Sequence, residues 1–231
     1  TGLIDRIITA MGLDYANIAQ TPAEYGGLGK DLSGMDVQEK WSYRSVLGMM
    51  LYLCNTRADI QFATSQCARF TSNPRHSHEV ALKRIGRYLK GTRERGLVLK
   101  ADQALEIEMF VDADFAGLHG YEDPEDPTSV HSRTGYVLCI AKCPVLWVSR
   151  LQTETACSTM HAEYIALATA MRDLIPFMRI ADELCRHMGL SDEKLAVIKA
   201  KTVVQHANNC PLILANLGPG ISPPKPKFCN S

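Results

Sequence analysis

The chain has 231 residues, enough for one domain of ordinary size and a smaller companion, each with a buried core. Its 25 basic and 25 acidic residues cancel, which argues against recruitment of nucleic acid by overall charge alone. No apolar run approaches the ~20 residues of a membrane span, and the eight cysteines show no CxxC pair. We therefore expect a reduced, intracellular protein, cytoplasmic or nuclear, with no membrane partner.

Residues 1–95 carry helical periodicity. Apolar residues at spacings of three and four predict four helices, at 2–11, 41–53, 60–70 and 78–90. Residues 18–38 are rich in Gly, Pro and small polar side chains, which predicts a loop or linker. The first part of the chain is thus an N-terminal helix with its linker, 1–38, and a helical segment, 39–95, whose short loops favour antiparallel packing.

At Gly96 the pattern becomes alternating, which is typical of strands. Four strands are predicted first, at 97–99, 106–111, 135–141 and 145–148. Two helices follow at 159–171 and 174–188, and then a last strand at 201–205 and a last helix at 209–216. This order predicts an α/β (α+β) domain with a mixed sheet over 96–217. The Pro-rich residues 218–231 have no core-forming pattern and predict an extended tail.

Two carboxylates stand out in the second part of the chain. Asp112 follows the apolar residues of a predicted strand, and Glu163 lies near the start of an amphipathic helix. Carboxylates from two packed elements could share Mg²⁺, which prefers hard oxygen ligands, and two such ions can act on a phosphodiester. A solvated turn and an exposed helix carboxylate would give the same pattern.

Basic residues cluster on the fourth predicted helix. Lys83, Arg84, Arg87 and Lys90 recur at helical spacing. Cations on one helix face are the usual device for contacting phosphates. A solvated helix face is the competing interpretation.

The longer motifs around these residues resemble the Pol polyprotein of Ty1/copia-type retrotransposons. Upstream, the matching blocks are YRSVLG at 43–48, NTRADI at 55–60 and RYLKGT at 87–92; downstream they are 112–117, 132–136, 146–149 and 162–164. The resemblance covers almost the whole chain. It implies a reverse-transcriptase thumb/connection segment followed by a ribonuclease H-like mixed sheet flanked by helices.

By this resemblance, Asp112 is the central carboxylate of a two-ion Mg²⁺ (or Mn²⁺) site, Glu163 holds one ion, and Asp114 is a secondary neighbour. Lys83, Arg84, Arg87 and Lys90 are phosphate contacts. The implied substrate is RNA paired to DNA, recognised mainly through backbone shape and 2′-hydroxyls.

Two departures from the family pattern point to a degenerate enzyme. Ala207 stands where the family has its third carboxylate, and alanine has no atom that binds a metal. The chain also ends in PPKPKF and three further residues, where the family continues into a last strand and helix. We expect impaired catalysis; the alternative is a non-catalytic structural or binding subunit of a larger assembly, with protein partners and no cofactor.

Overall fold

The computed structural model describes residues 2–25, 27–100, 106–120, 127–189 and 203–206. These residues form a mixed α/β structure whose elements are, in chain order, α1 (Gly2–Ala10), α2 (Tyr43–Leu53), a 3₁₀ turn (Ala58–Ile60), α3 (Gln61–Ala68), α4 (His76–Gly91), β1 (Ile107–Asp114), a 3₁₀ turn (Pro127–Val130), β2 (Arg133–Ile140), β3 (Cys143–Leu151), α5 (Thr159–His187) and β4 (Val203–His206). The four helices predicted for the first part of the chain are confirmed, each end within two residues.

Contacts divide the chain into two compact units. The first comprises Thr1–Val98, Asp114–Arg133 and Val148–Ala162, and the second comprises Leu99–Ala113, Thr134–Trp147 and Glu163–Ser231. In the first unit α1 packs against α2 and α4, and α3 packs against the same two helices. Its core contains large side chains with almost no exposure, contributed by α1, α2, the 3₁₀ turn before α3, and α4: Ile7, Leu47, Met50, Ile60, Leu82, Ile85 and Leu89.

A polar network around the buried Arg57 joins the α2–α3 connection to α4. The guanidinium of Arg57, only 5% exposed, donates from Nε and Nη2 to the two carboxylate oxygens of Asp59, at 2.9 and 2.7 Å. Nη2 of Arg57 also donates to the hydroxyl oxygen of Thr92 at 2.6 Å, and the Tyr88 hydroxyl donates to Asp59 at 2.7 Å. The NTRADI motif therefore ties two helices together through charge-assisted hydrogen bonds.

Substitution Asp59→Ala should lower the free energy of unfolding by about 3 kcal/mol, because it leaves the buried guanidinium of Arg57 without its anion. The matched control is Asp36→Ala, which removes a carboxylate that pairs with Arg75 but is 90% exposed. That change should cost less than about 1 kcal/mol. Urea denaturation measures both; equal losses would contradict a stabilising role for the network.

His78 is fully buried at the start of α4. Its Nδ1 accepts from the Arg75 backbone N–H at 2.7 Å, so Nε2 carries the proton and donates to the Gly29 carbonyl at 2.8 Å. The ring also stacks on Phe70, with centroids 4.1 Å apart. Burial lowers the pKa of His78 below its ordinary value of 6.5, because desolvation disfavours the charged ring, and this effect outweighs the hydrogen bond to the Gly29 carbonyl, which raises the pKa.

Stability should therefore depend on His78 at acid pH. Above pH 6.5, His78 is neutral in both the folded and the unfolded chain. Below pH 6.5, the unfolded chain binds a proton at His78 that the folded chain does not bind until the pH reaches its lower folded pKa. The free energy of unfolding therefore falls as the pH is lowered through this range. Urea denaturation between pH 5 and 8 should show this loss. His78→Asn, which keeps an acceptor for the Arg75 N–H, should reduce the slope, whereas the exposed His187→Gln should keep it. If the free energy of unfolding of His78→Asn depends on pH as steeply as that of the unmodified chain, His78 is not the group responsible for the loss of stability.

The strands form one sheet in the order β3-β2-β1-β4. Strands β1 to β3 are antiparallel, and β2 and β3 are joined by Ala141 and Lys142, both with positive φ, as a two-residue hairpin turn requires. Strand β4 is parallel to β1, with Glu108 opposite Val203 and Val111 opposite His206. A parallel pair needs a crossover connection, and α5 lies in the chain between β3 and β4.

Two local predictions were wrong. Residues 97–99 are not a strand: all three apolar side chains are exposed, so an extended segment there buries neither face. The helices predicted at 159–171 and 174–188 are one helix, α5, which runs through Pro176. Its buried stripe of Ala162, Ala166, Ala170 and Leu174 keeps helical spacing across the predicted break.

Three further predictions lie outside the described residues: the 209–216 helix, the 218–231 tail and the start of the 201–205 strand. None of the described helices combines the length and the apolar character needed to cross a membrane.

Candidate metal and nucleic-acid sites

Asp112 projects from the exposed face of β1. Met109 and Val111 are buried, whereas Phe110 and Asp112 are exposed, as expected for a strand whose successive side chains point to opposite faces. Strand β1 ends two residues later, at Asp114. The structure thus places the predicted central ligand near the carboxyl end of β1, accessible to solvent.

Asp114 is part of the turn that follows β1. Its carboxylate lies directly over the Cα of Gly117, so close that any side chain at position 117 would collide with it. Ala116, inside the same turn, has a positive φ of 47° and donates its N–H to the Ser132 hydroxyl at 3.2 Å. The carboxylate of Asp114 is thus directed into its own turn.

Glu163 is the fifth residue of α5 and is half-buried between Ala162 and Ala166, two fully buried residues of the helix stripe. Its Oε2 atom is shielded from solvent. A carboxylate held in this way on a long helix is positioned more firmly than one on a loop.

The described residues do not form a complete metal site. Within them, no group of three or more His, Cys, Asp or Glu side chains is arranged to hold a metal ion. Ala207 lies outside the described residues. The last described pair between β1 and β4 is Val111 with His206; Asp112 follows Val111 in the sequence, and Ala207 follows His206. The described residues alone therefore do not supply the several carboxylates that a two-ion Mg²⁺ centre needs.

The four predicted phosphate contacts on α4 bind other parts of the same chain. Lys83 pairs with Glu39. Arg84 donates to the Glu24 carboxylate at 2.6 Å and to the Thr21 hydroxyl at 3.0 Å. Arg87 and Lys90 donate to backbone carbonyls of Leu13, Asp14, Ala16 and Asn17, three of them around Lys90 at 2.5 to 3.2 Å.

Residues 13–24, here called the strap, therefore lie along α4. The Ala19 N–H donates to the Arg87 carbonyl at 3.4 Å. A Cβ at Gly86 would come within 2.7 Å of Leu13, and one at Gly91 within 3.1 Å of Ile18. Both glycines of α4 thus permit close approach of the strap, and three of the cations, Arg84, Arg87 and Lys90, fasten it.

Sequence reasoning missed these partners for a physical reason. Backbone carbonyls carry no residue-specific signal, and the residues that supply them are about 75 positions away in the chain. Glu24 and Glu39 were the only detectable signals, as possible counter-charges for Arg84 and Lys83. Phosphate contact by the four cations stays a prediction.

Substitution Lys90→Met should lower the free energy of unfolding by about 1.5–3 kcal/mol, because three strap carbonyls lose a charged donor. The matched control, Lys40→Met, changes a lysine that is exposed and should shift stability by less than about 0.5 kcal/mol. Thermal or urea unfolding followed by circular dichroism measures both. If Lys90→Met leaves the free energy of unfolding unchanged, the strap does not depend on this contact.

Known proteins similar to this chain include transposon polyproteins. The chain is 34% identical over 142 residues to the retrovirus-related Pol polyprotein from transposon RE1 of Arabidopsis thaliana. The aligned residues cover 62% of this chain and 9% of that protein. Over 215 residues it is 31% identical to the retrovirus-related Pol polyprotein from transposon TNT 1-94 of Nicotiana tabacum, 88% of this chain and 16% of that protein.

A third relative is much shorter. The chain is 33% identical over 134 residues to the secreted RxLR effector protein 161 of Plasmopara viticola, 58% of this chain and 89% of that protein. Against the polyproteins, in contrast, the chain spans only a small fraction of their length. No family model and no solved structure matches the chain.

Proposed function

This chain belongs to the copia-type, retrovirus-related Pol polyproteins of transposons, and from that membership we propose that it is a duplex-binding module with impaired catalysis. Residues 39–95 correspond to a thumb/connection segment, and residues 96–217 correspond to a ribonuclease H-like domain. The ligand is an RNA–DNA hybrid, gripped through its backbone.

The observation that carries the proposal is the parallel pairing of β1 and β4 in the sheet order β3-β2-β1-β4. Parallel strands end at the same edge of a sheet, and Val111 lies opposite His206 on the neighbouring strand. Asp112 is the residue after Val111 and is exposed. This arrangement, with a helix crossover carrying Glu163, supports a ribonuclease H-like lineage.

Impairment follows from the residue types. Two-ion phosphodiester hydrolysis needs several carboxylates to offset the charge of two divalent cations and to fix their positions. The chain has Asp112 and Glu163 but an alanine at position 207. Loss of one anionic ligand reduces metal affinity, and misplacement of the remaining groups reduces rate steeply.

A non-catalytic structural or binding subunit of a larger assembly is the second candidate, and one comparison favours it. The Plasmopara viticola protein is matched over 89% of its length, so a segment of this kind makes up most of a separately named protein. In that role the sheet and helical unit would bind a partner without any chemistry.

The proposal includes the location of the protein in the cytoplasm or nucleus. Burial raises the pKa of the Cys67 thiol to about 12, and burial likewise raises the pKa of Cys139, so both stay protonated and pack as small apolar groups. Such cysteines suit a reducing environment, the cytoplasm or nucleus.

The test is a cleavage assay on an RNA–DNA hybrid with labelled RNA, in Mg²⁺ and separately in Mn²⁺. The unmodified chain should bind the hybrid yet cleave it no faster than Asp112→Asn does. Ala207→Asp is run beside them to ask whether the missing carboxylate alone limits the rate. Circular dichroism shows that each variant is folded.

Cleavage by the unmodified chain that disappears in Asp112→Asn would overturn the impaired-enzyme proposal and indicate a complete metal site. Failure of the folded chain to bind hybrid at low salt would instead favour the structural-subunit alternative.

A further inference from the structure

We propose that residues 96–100, here called the junction segment, form a proteolytic processing site for an endopeptidase that accepts bulky apolar residues on both sides of the scissile bond. The bond cut is the one between Leu97 and Val98 or the next one along the chain. Water adds its hydroxyl group to the carbonyl carbon and its proton to the nitrogen as the amide bond breaks. The inference goes beyond the proposed function and does not depend on hybrid binding.

The backbone of the junction segment is the first observation. Residues 95–100 lie in no helix, strand or turn. No backbone N–H or carbonyl of residues 96–100 forms a hydrogen bond with another residue that the structure describes. An extended peptide is bound through its main-chain hydrogen bonds, and an endopeptidase holds its substrate in this way. The junction segment can adopt that form without first breaking hydrogen bonds to the described residues.

The side chains of the junction segment are the second observation. Leu97 is 43% exposed, Val98 87% and Leu99 64%. A run of consecutive exposed apolar residues is unfavourable in a folded protein unless something binds it. In an extended substrate successive side chains point to opposite sides, so Leu97 and Leu99 enter pockets on one side and Val98 on the other. The pattern suits an enzyme whose pockets are apolar around the cut.

The position of the junction segment in the chain is the third observation. The division between the two compact units falls between Val98 and Leu99. No residue of the segment belongs to the core formed by the helices of the first unit. Cleavage there therefore removes no core packing from those helices.

The two products of cleavage should stay associated. The first unit combines Thr1–Val98 with Asp114–Arg133 and Val148–Ala162, so it contains residues from both sides of the cut. Within that unit, Arg133 donates to the Ser65 hydroxyl at 2.8 Å, and its guanidinium lies 5.0 Å from the centroid of the Phe62 ring. Processing thus yields a two-chain protein rather than two separate ones.

The experiment is limited proteolysis of the full chain with thermolysin, which cuts on the amino side of bulky apolar residues, with the fragments identified by intact mass. Among the described residues, the first cuts should lie on the amino side of Leu97, Val98 or Leu99. Val80 is an internal comparison, since it is 51% exposed but lies within α4. Cleavage at Val80 should be at least about a hundredfold slower, because α4 must unfold locally before a protease can bind it.

The triple change Leu97→Ser, Val98→Ser and Leu99→Ser should slow thermolysin at the junction segment about tenfold or more, because the apolar side chains are lost. Trypsin separates recognition from accessibility: it should cut after the exposed Lys100 at rates within about twofold in the triple variant and the unmodified chain. The matched control, Val80→Ser, removes an apolar side chain of similar exposure and should leave the thermolysin rate at the segment within about twofold.

Size-exclusion chromatography of the cut protein should give one peak whose two pieces separate on a denaturing gel; two peaks would contradict a two-chain product. Thermolysin cleavage in α4 as fast as at the junction segment, or an unchanged rate at the segment in the triple variant, would overturn the assignment. Resistance of the folded, unmodified chain to trypsin at Lys100 would overturn it too, because the segment would then be inaccessible. The assay contains no nucleic acid, so its failure leaves the proposed function intact.

Discussion

The organisation of helices α1 to α4 depends on α4, because the charged side chains of α4 bind other segments of the same chain. At its start, the buried carboxylate of Glu79 accepts the backbone N–H groups of Gln38 and Glu39, at 3.0 and 3.2 Å. At its end, Lys90 holds the strap carbonyls. Lys90 has three N–H donors and all three are used in this way, so it must give up a hydrogen bond before it can contact phosphate.

This constraint separates two kinds of motif in the family signature. The arginine and aspartate of NTRADI and the tyrosine of RYLKGT are explained by stability, since Arg57, Asp59 and Tyr88 form one hydrogen-bonded network. The glycine of YRSVLG is not explained by packing within the described residues, because the space around Gly48 is open. The first kind of motif holds the helices together, whereas packing does not account for the glycine of the second.

Local periodicity was enough to predict α1 to α4, because each helix buries a stripe at a spacing that the sequence shows directly. It failed where the outcome depends on distant residues. Residues 97–99 alternate like a strand yet bury neither face, and Pro176 suggests a break that the apolar stripe of α5 overrides. Asp112 was predicted to follow a strand that ends at residue 111, whereas β1 continues through it to Asp114, and no local pattern could reveal that β4 pairs with β1.

The most direct test of the account is a mobility-shift gel with labelled RNA–DNA hybrid in Mg²⁺, after which the RNA of the shifted band is analysed on a denaturing gel. A single sample then reports both binding and chemistry. The account predicts a shifted band that weakens with salt and contains intact RNA. Cleaved RNA that becomes intact in Asp112→Asn, or no shift at low salt with folded protein, would contradict it.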